Sequence, residues 1–196
     1  MYKVGITGGI GSGKSTVCEM LRAMGVAVYD SDSRAKALMA QCDDVRKSLI
    51  DAFGVECYNE EGLNRGYLAQ QVFGNEEALQ RLNAIVHPAV RADFQQWSRE
   101  QSSAYVVLES AILFEADFDN EVDTTIAVLA PKEIRVERTM QRDGASREDV
   151  LRRMEHQASD EELHRRANRT LVNLRQDYLQ SDVEQLHKML VYESQR

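Results

Sequence analysis

Positive charge is scarce in this chain, with 24 Lys and Arg against 32 Asp and Glu, a net charge of −8 over 196 residues. A protein held on nucleic acid mainly by phosphate contacts needs the opposite balance, so no nucleic-acid partner is expected. A small phosphorylated ligand needs only a local positive site. Long apolar runs are missing as well. No window approaches the roughly 20 apolar residues that span a bilayer, and MYKVGIT has no basic-then-apolar leader pattern, so no membrane partner is expected. The three cysteines, Cys18, Cys42 and Cys57, are odd in number and lack metal-ligand spacing. They point to reduced thiols in a cytoplasm. No internal repeat, low-complexity tract or linker is found, and no protein partner is implied.

The chain is long enough to bury a sizeable core as one domain or one core with insertions. Residues 2–7 read as a buried strand, a glycine-rich turn follows at 8–13, and a helix runs from Lys14 to about Met24. VAVYD (26–30), AYVVLES (104–110), VDTTIAVLA (122–130) and RTLVN (169–173) are further β-rich runs. From Asp32 to about Gln101 only helical patterns are found. One is NEEALQRLNAIVH, with Leu79, Leu82, Ile85 and Val86 on one face. His87 precedes Pro88 at an expected helix start. Pro131 opens another helix at its first turn, and two charged helical segments follow to about Arg166. The final helix carries Tyr178, Leu179, Val183, Leu186 and Leu190 at helical spacing. Strands alternating with helices argue for a parallel α/β sheet, with strand-free helical insertions at about 31–103 and 131–166.

GGIGSGKS, Gly8 to Ser15, matches G-x-x-x-x-G-K-[ST] between a strand and a helix. Glycines let backbone N–H groups curl around phosphate oxygens, and the helix N-terminus adds its dipole. Lys14 is expected at the β- and γ-phosphates and the Ser15 hydroxyl on Mg²⁺. The base-reading N-K-x-D of GTPases is absent. DAFG (51–54) imitates a switch motif but no strand feeds it, so it is read as chance. A chain of this size with such a loop points to a small-molecule kinase.

Asp30 and Asp32 follow the second strand, at the sheet edge where ligands of such folds bind. Asp32 is read either as an acid facing the γ-phosphate from the acceptor side or as the N-cap of a helix over 33–40. Glu109, at the end of YVVLE, is either a support for Mg²⁺ or an ordinary strand-end acid. Residues 132–153 hold seven Lys and Arg against five Asp and Glu, with Arg135, Arg138 and Arg142 on one helix face. That face is either a solvated, salt-bridged surface or a lid whose arginines meet phosphoryl charge.

These residues together resemble the dephospho-CoA kinase family over nearly the whole chain. GITGGIGSGKST is similar to its extended phosphate loop, including Gly8, Gly9, Gly11, Ser12, Gly13, Lys14, Ser15 and Thr16. VYDSDSRA, GLNRGYL, VF (72–73) and IVHPAVR resemble its following segments, and QRD (141–143), RRMEHQ and AN…LVN its lid and last strand. AILFE (111–115) has Ala111 where the family usually has proline, and Asn168 stands where aspartate is common. The resemblance implies a P-loop kinase-type three-layer α/β/α fold with a parallel sheet core. Its nucleotide-binding core is 1–30 with 104–130 and 167–196, its helical acceptor insertion 31–103 and its helical lid 131–166.

It implies ATP-dependent phosphorylation of the ribose 3′-hydroxyl of dephospho-CoA, the last step of coenzyme A synthesis, with Mg²⁺. Asp32 would be the general base, with Lys14 and Arg142 catalytic beside it. Arg65, His87 and Arg91 would lie in the acceptor pocket with an apolar lining that includes Leu113. Arg138 and Arg142 would be lid arginines, Asn173 would lie near the adenine, and Ser15 and Glu109 would serve the metal. A shikimate or gluconate kinase, or a nucleotide-dependent switch protein, are the rival readings.

Overall fold

The structure is a computed structural model that describes residues 1–155 and 157–196, so His156 of RRMEHQ lies outside the described residues. Its elements in chain order are β1 (Tyr2–Thr7), α1 (Lys14–Ala23), β2 (Ala27–Asp30), α2 (Ser31–Gln41), α3 (Asp43–Phe53), β3 (Tyr58–Asn59) and β4 (Gly62–Leu63). There follow α4 (Arg65–Val72), α5 (Glu76–Arg99), β5 (Tyr105–Glu109), β6 (Thr124–Leu129), α6 (Lys132–Asp143), α7 (Arg147–Glu155), α8 (Asp160–Arg166), β7 (Arg169–Val172) and α9 (Gln176–Glu193). They form two compact units, residues 1–30 with 97–196, and residues 31–96.

The first unit is built on an all-parallel sheet in the order β2-β5-β1-β6-β7. Parallel strands need both faces covered, which is why these segments read as continuous apolar runs. Val4, Ile6, Tyr105, Val107, Ile126 and Val128 pack with Val17, Cys18 and Leu21 of α1 and Leu179, Val183 and Leu190 of α9. On the other face Val106, Leu108 and Ala127 are buried too. There Leu113 lies against Gly5, where an added Cβ would sit 2.9 Å from its side chain. Trp97, in the last turn of α5, stacks at a tilt on Tyr29 with ring centroids 5.3 Å apart.

β2 is not the neighbour of β1, because β5 runs between them. The register nevertheless keeps their ends level, with Asp30 opposite Glu109 and Glu109 opposite Ile6. The helical segment 131–166 holds the three expected helices, α6, α7 and α8. Pro131 caps α6 from just outside, and Gly144, with φ 65°, ends it in a conformation that favours glycine. Ser159 starts α8 by accepting the Glu162 N–H at 3.1 Å.

The second unit has its own core of Val45, Leu49, Phe53, Cys57, Tyr58, Leu68 and Ala78. Two expectations fail here. The stretch contains a small antiparallel pair, Tyr58 opposite Leu63 and Asn59 opposite Gly62, whose two-residue strands are too short to show alternation. And α5 runs unbroken through Pro88, so His87 sits in mid-helix, not at a helix start. An internal proline costs about 3 kcal/mol in a helix, yet Val86, Val90 and Phe94 are all buried at a spacing of four. That continuous stripe holds the helix on both sides of the break in hydrogen bonding. DAFG proves to be the last turn of α3 and its glycine cap, Gly54 at φ 93°.

Candidate active site

β1 delivers the chain into the loop Gly8–Gly13, and α1 begins at Lys14. Gly13 is the residue before the helix, at φ 98°, and no side chain caps the helix there. The amino end of α1 is therefore left for an anion, where its N–H groups and dipole favour negative charge. The loop's glycines leave no room for a Cβ. A Cβ on Gly8 would lie 2.3 Å from the Val128 carbonyl oxygen, and one on Gly13 2.1 Å from Asn173 Nδ2. Lys14 Nζ donates to the Gly8 carbonyl at 2.8 Å, folded back over the loop.

At the ends of the central strands, Ser15 Oγ donates to Glu109 Oε1 at 2.9 Å. Glu109 is buried, and its register partner on β2 is Asp30. Cys18, one turn further along α1, is fully buried. Burial first, then the charge of Glu109 and a hydrogen bond to it, push its thiol pKa far up. Oxygen donors gathered at a helix start suit a hard cation. No group of three or more His, Cys, Asp or Glu that could hold a metal is found among the described residues. A magnesium ion that keeps its waters and leans on phosphate oxygens needs no such group.

The arginine face of α6 changes character along its length. Arg135 is buried and reaches the loop, donating from Nε to the Ile10 carbonyl at 3.0 Å and from its NH1 group to Asp160 Oδ1 at 2.5 Å. Arg138 is half-buried beside Asn173, at 3.5 Å, and its NH1 group is buried without a hydrogen-bond partner. Ser12 Oγ and Thr7 Oγ1 are buried and unsatisfied as well. Such orphaned polar atoms around a glycine loop are what a phosphate ligand would satisfy. Arg142 is exposed and forks onto the neighbouring Asp143 at 2.7 and 3.2 Å. Arg142 and then Arg153 hold the Asp143 carboxyl far below the usual carboxylate range.

Asn173 is spent on the loop. Its Nδ2 donates to the Ser12 carbonyl at 2.9 Å, and its backbone N–H donates to Leu129. Leu113 is wholly buried, in a packing position against β1. Thr16 lies in the first turn of α1. Asp32, Arg65, His87 and Arg91 belong to the second unit. Asp32 is exposed in the first turn of α2, which starts at Ser31, so it is inside the helix and is not an N-cap for 33–40. Because the chain turns helical at Ser31, strand alternation does not carry Asp32 to the side of Asp30. Arg65 opens α4 and is exposed. His87 and Arg91 stand one turn apart on α5, both partly buried. In the same unit Arg34 forks onto Asp93 at 2.5 and 2.8 Å, tying α2 to α5.

Sequence reasoning missed Gln157 and Asp160, and left Arg135 as one of three equivalent arginines. The available signal was Arg135 beside the buried pair Val136 and Thr139, the inward stripe of a helix otherwise rich in charge.

Comparison with known proteins bears on the whole chain. Residues 2–177 match the dephospho-CoA kinase family. The chain is 44% identical over 172 residues to the dephospho-CoA kinase of Bacteroides fragilis (strain YCH46), covering 87% of this chain and 84% of that one. It is 45% identical over 177 residues to the dephospho-CoA kinase of Salinibacter ruber, covering 88% and 89%. Among solved structures, TT1252 from Thermus thermophilus matches with a TM-score of 0.84 and 38% identity, over 98% of this chain and 97% of that one. A family match from residue 2 to residue 177, which takes in the phosphate loop and residues of both units, together with identity at this level, leads to one assignment: the chain belongs to the dephospho-CoA kinase family.

Proposed function

We propose that the chain transfers the γ-phosphoryl group of ATP to the ribose 3′-hydroxyl of dephospho-CoA, giving coenzyme A and ADP in the cytoplasm. The observation that carries this is the uncapped start of α1 below a glycine loop, ringed by unsatisfied Ser12, Thr7 and Arg138 atoms. In this reading the N–H groups of Gly11 and of residues 13–16 receive the phosphates, and Lys14 swings from Gly8 onto the β- and γ-phosphates. Ser15 and Glu109 would hold Mg²⁺, which when bound neutralises phosphate charge during transfer. Asp32 orients the acceptor hydroxyl and takes its proton. Arg65, His87 and Arg91 hold the acceptor's anionic groups. The segment α6–α8 acts as the lid, with Arg138 already beside the loop and Arg142 released from Asp143 on closure. Asn173 braces the loop rather than the adenine, since its amide is engaged with Ser12 and faces Arg138.

The test is a coupled ADP-release assay with dephospho-CoA, shikimate, gluconate and no acceptor. ADP release only with dephospho-CoA is expected. Turnover confined to shikimate or gluconate, or equal release without acceptor, refutes the proposal.

A further inference from the structure

We propose that Arg135 and Gln157 are positioning residues for the nucleotide phosphates, acting through the two peptides of Ile10 rather than on the ligand. The proposal rests on the phosphate-loop reading above and adds how the loop's shape is held.

Gly9 to Ser12 form a turn closed by the Ser12 N–H donating to the Gly9 carbonyl at 3.1 Å. Ile10 has a negative φ and Gly11 a φ of 76°, the signs of a type II turn. Type I and type II turns differ by a flip of the middle peptide, here Ile10–Gly11, and Gly11 offers little resistance to that flip. In a trans peptide the carbonyl and the N–H point in opposite directions. Whatever binds the Ile10 carbonyl therefore decides where the Gly11 N–H points.

Arg135 Nε binds that carbonyl at 3.0 Å, and Asp160 fixes the other side of the guanidinium. The preceding peptide is held too. The Ile10 N–H donates to Gln157 Oε1 at 2.7 Å, which turns the Gly9 carbonyl toward the Ser12 N–H. Both polar groups of Ile10 are thus held by side chains from residues 135–160. The middle peptide is locked with its Gly11 N–H turned away from Arg135, ready for phosphate. An arginine suits this task because its planar fork serves Ile10 and Asp160 together, and a lysine serves one or the other.

Three variants test this, read by calorimetric titration with ADP and with adenosine, and by melting without ligand. Arg135→Met fits beside Leu151 and Met154, which line a cavity of about 510 Å³ with Arg135. It should weaken ADP binding about tenfold, the loss of a charge-assisted hydrogen bond. Gln157→Met should weaken it roughly three- to tenfold, with the melting temperature nearly unchanged. Adenosine affinity should hold in both, a split that general loosening of the fold would not produce. Arg135→Lys keeps the charge and should stay impaired. ADP affinity equal to wild type in Arg135→Met and Gln157→Met overturns the proposal, as does full recovery in Arg135→Lys. Parallel loss of adenosine and ADP affinity overturns it too. Wild-type protein that binds ADP but does not phosphorylate dephospho-CoA would sink the substrate assignment while leaving this inference standing.

Discussion

Replacing Gly11 by alanine puts a methyl group into one of the tightest places in the loop. Its Cβ would lie 2.3 Å from the Arg135 carbonyl oxygen and 2.6 Å from Thr139 Oγ1. Those two atoms are themselves hydrogen-bonded at 2.7 Å within α6, so neither yields by a side-chain rotation alone. Relief needs a shift of about 1 Å in the loop or the helix, a distortion typical of overpacking at about 1–3 kcal/mol. The φ of 76° at Gly11 adds about 1–2 kcal/mol for a residue with a Cβ. The sum, about 2–5 kcal/mol, is a large part of a typical stability of about 5–15 kcal/mol. A chain of this size should lose roughly 2–4 °C of melting temperature per kcal/mol.

Gly144 supplies the control, since its φ is 65° but nothing lies within 4 Å of its added Cβ. Gly144→Ala therefore carries the conformational cost without the contact. Urea unfolding of both variants, together with ADP titration, separates the two contributions. Gly11→Ala should be the less stable by about 1–3 kcal/mol and should lose most ADP affinity. Equal stability of the two variants, with ADP binding kept in Gly11→Ala, would refute the packing of α6 on the loop.

The sequence made the sheet legible because parallel strands buried on both faces stand out as short apolar runs. The phosphate loop was legible because its glycines are dictated by contacts such as Gly8 on Val128 and Gly13 on Asn173. Strand order was not. Placing β5 between β1 and β2 depends on the crossovers, which leave no local pattern. The pair β3–β4 was too short to read, and Pro88 suggested a boundary that the buried stripe Val86, Val90 and Phe94 overrides. The arginines of α6 looked alike in sequence because charge says nothing of burial. Only packing separates Arg135 inside, Arg138 at the margin and Arg142 in solvent. Asn173 likewise looked like a ligand contact, though its amide faces the loop.

Lys14→Ala should fold normally and lose phosphoryl transfer by ~10²-fold or more, as expected for a charge on the developing phosphate; near-normal turnover in the purified variant would remove Lys14 from the mechanism. Arg142→Ala should lower kcat more than it weakens resting ATP affinity, because Arg142 is engaged with Asp143 and, as a proposed lid arginine, would meet phosphate charge only on closure; a change confined to the ATP KM would make it a ground-state contact. Cys18 holds its proton more tightly folded than unfolded, so its contribution to stability is present below about pH 9 and drains above it, by at most about 1.4 kcal/mol per pH unit. Cys18→Ala should flatten the fall in urea stability between about pH 8 and about pH 10, and an unchanged slope would contradict the burial of that thiol. The two aspartates at the end of the second strand and just past it, Asp30 and Asp32, test the chemistry itself. A ribose hydroxyl is a poor nucleophile at neutral pH until a group orients it and accepts its proton. Asp30 ends β2 beside Glu109 in the sheet register, which suits support of a metal-bound water. Asp32 is exposed in the first turn of α2, and as the proposed base it should be the more sensitive of the two. Asp32→Asn keeps the size and one acceptor oxygen and removes the base, so kcat should fall roughly 10²–10⁴-fold with ATP binding kept. A loose transition state puts more weight on orientation than on proton removal, which places the loss at the low end of that range. Single-turnover transfer by Asp32→Asn and Asp30→Asn, with folding checked by circular dichroism, decides between them, and a larger defect in Asp30→Asn would move the base to the strand end.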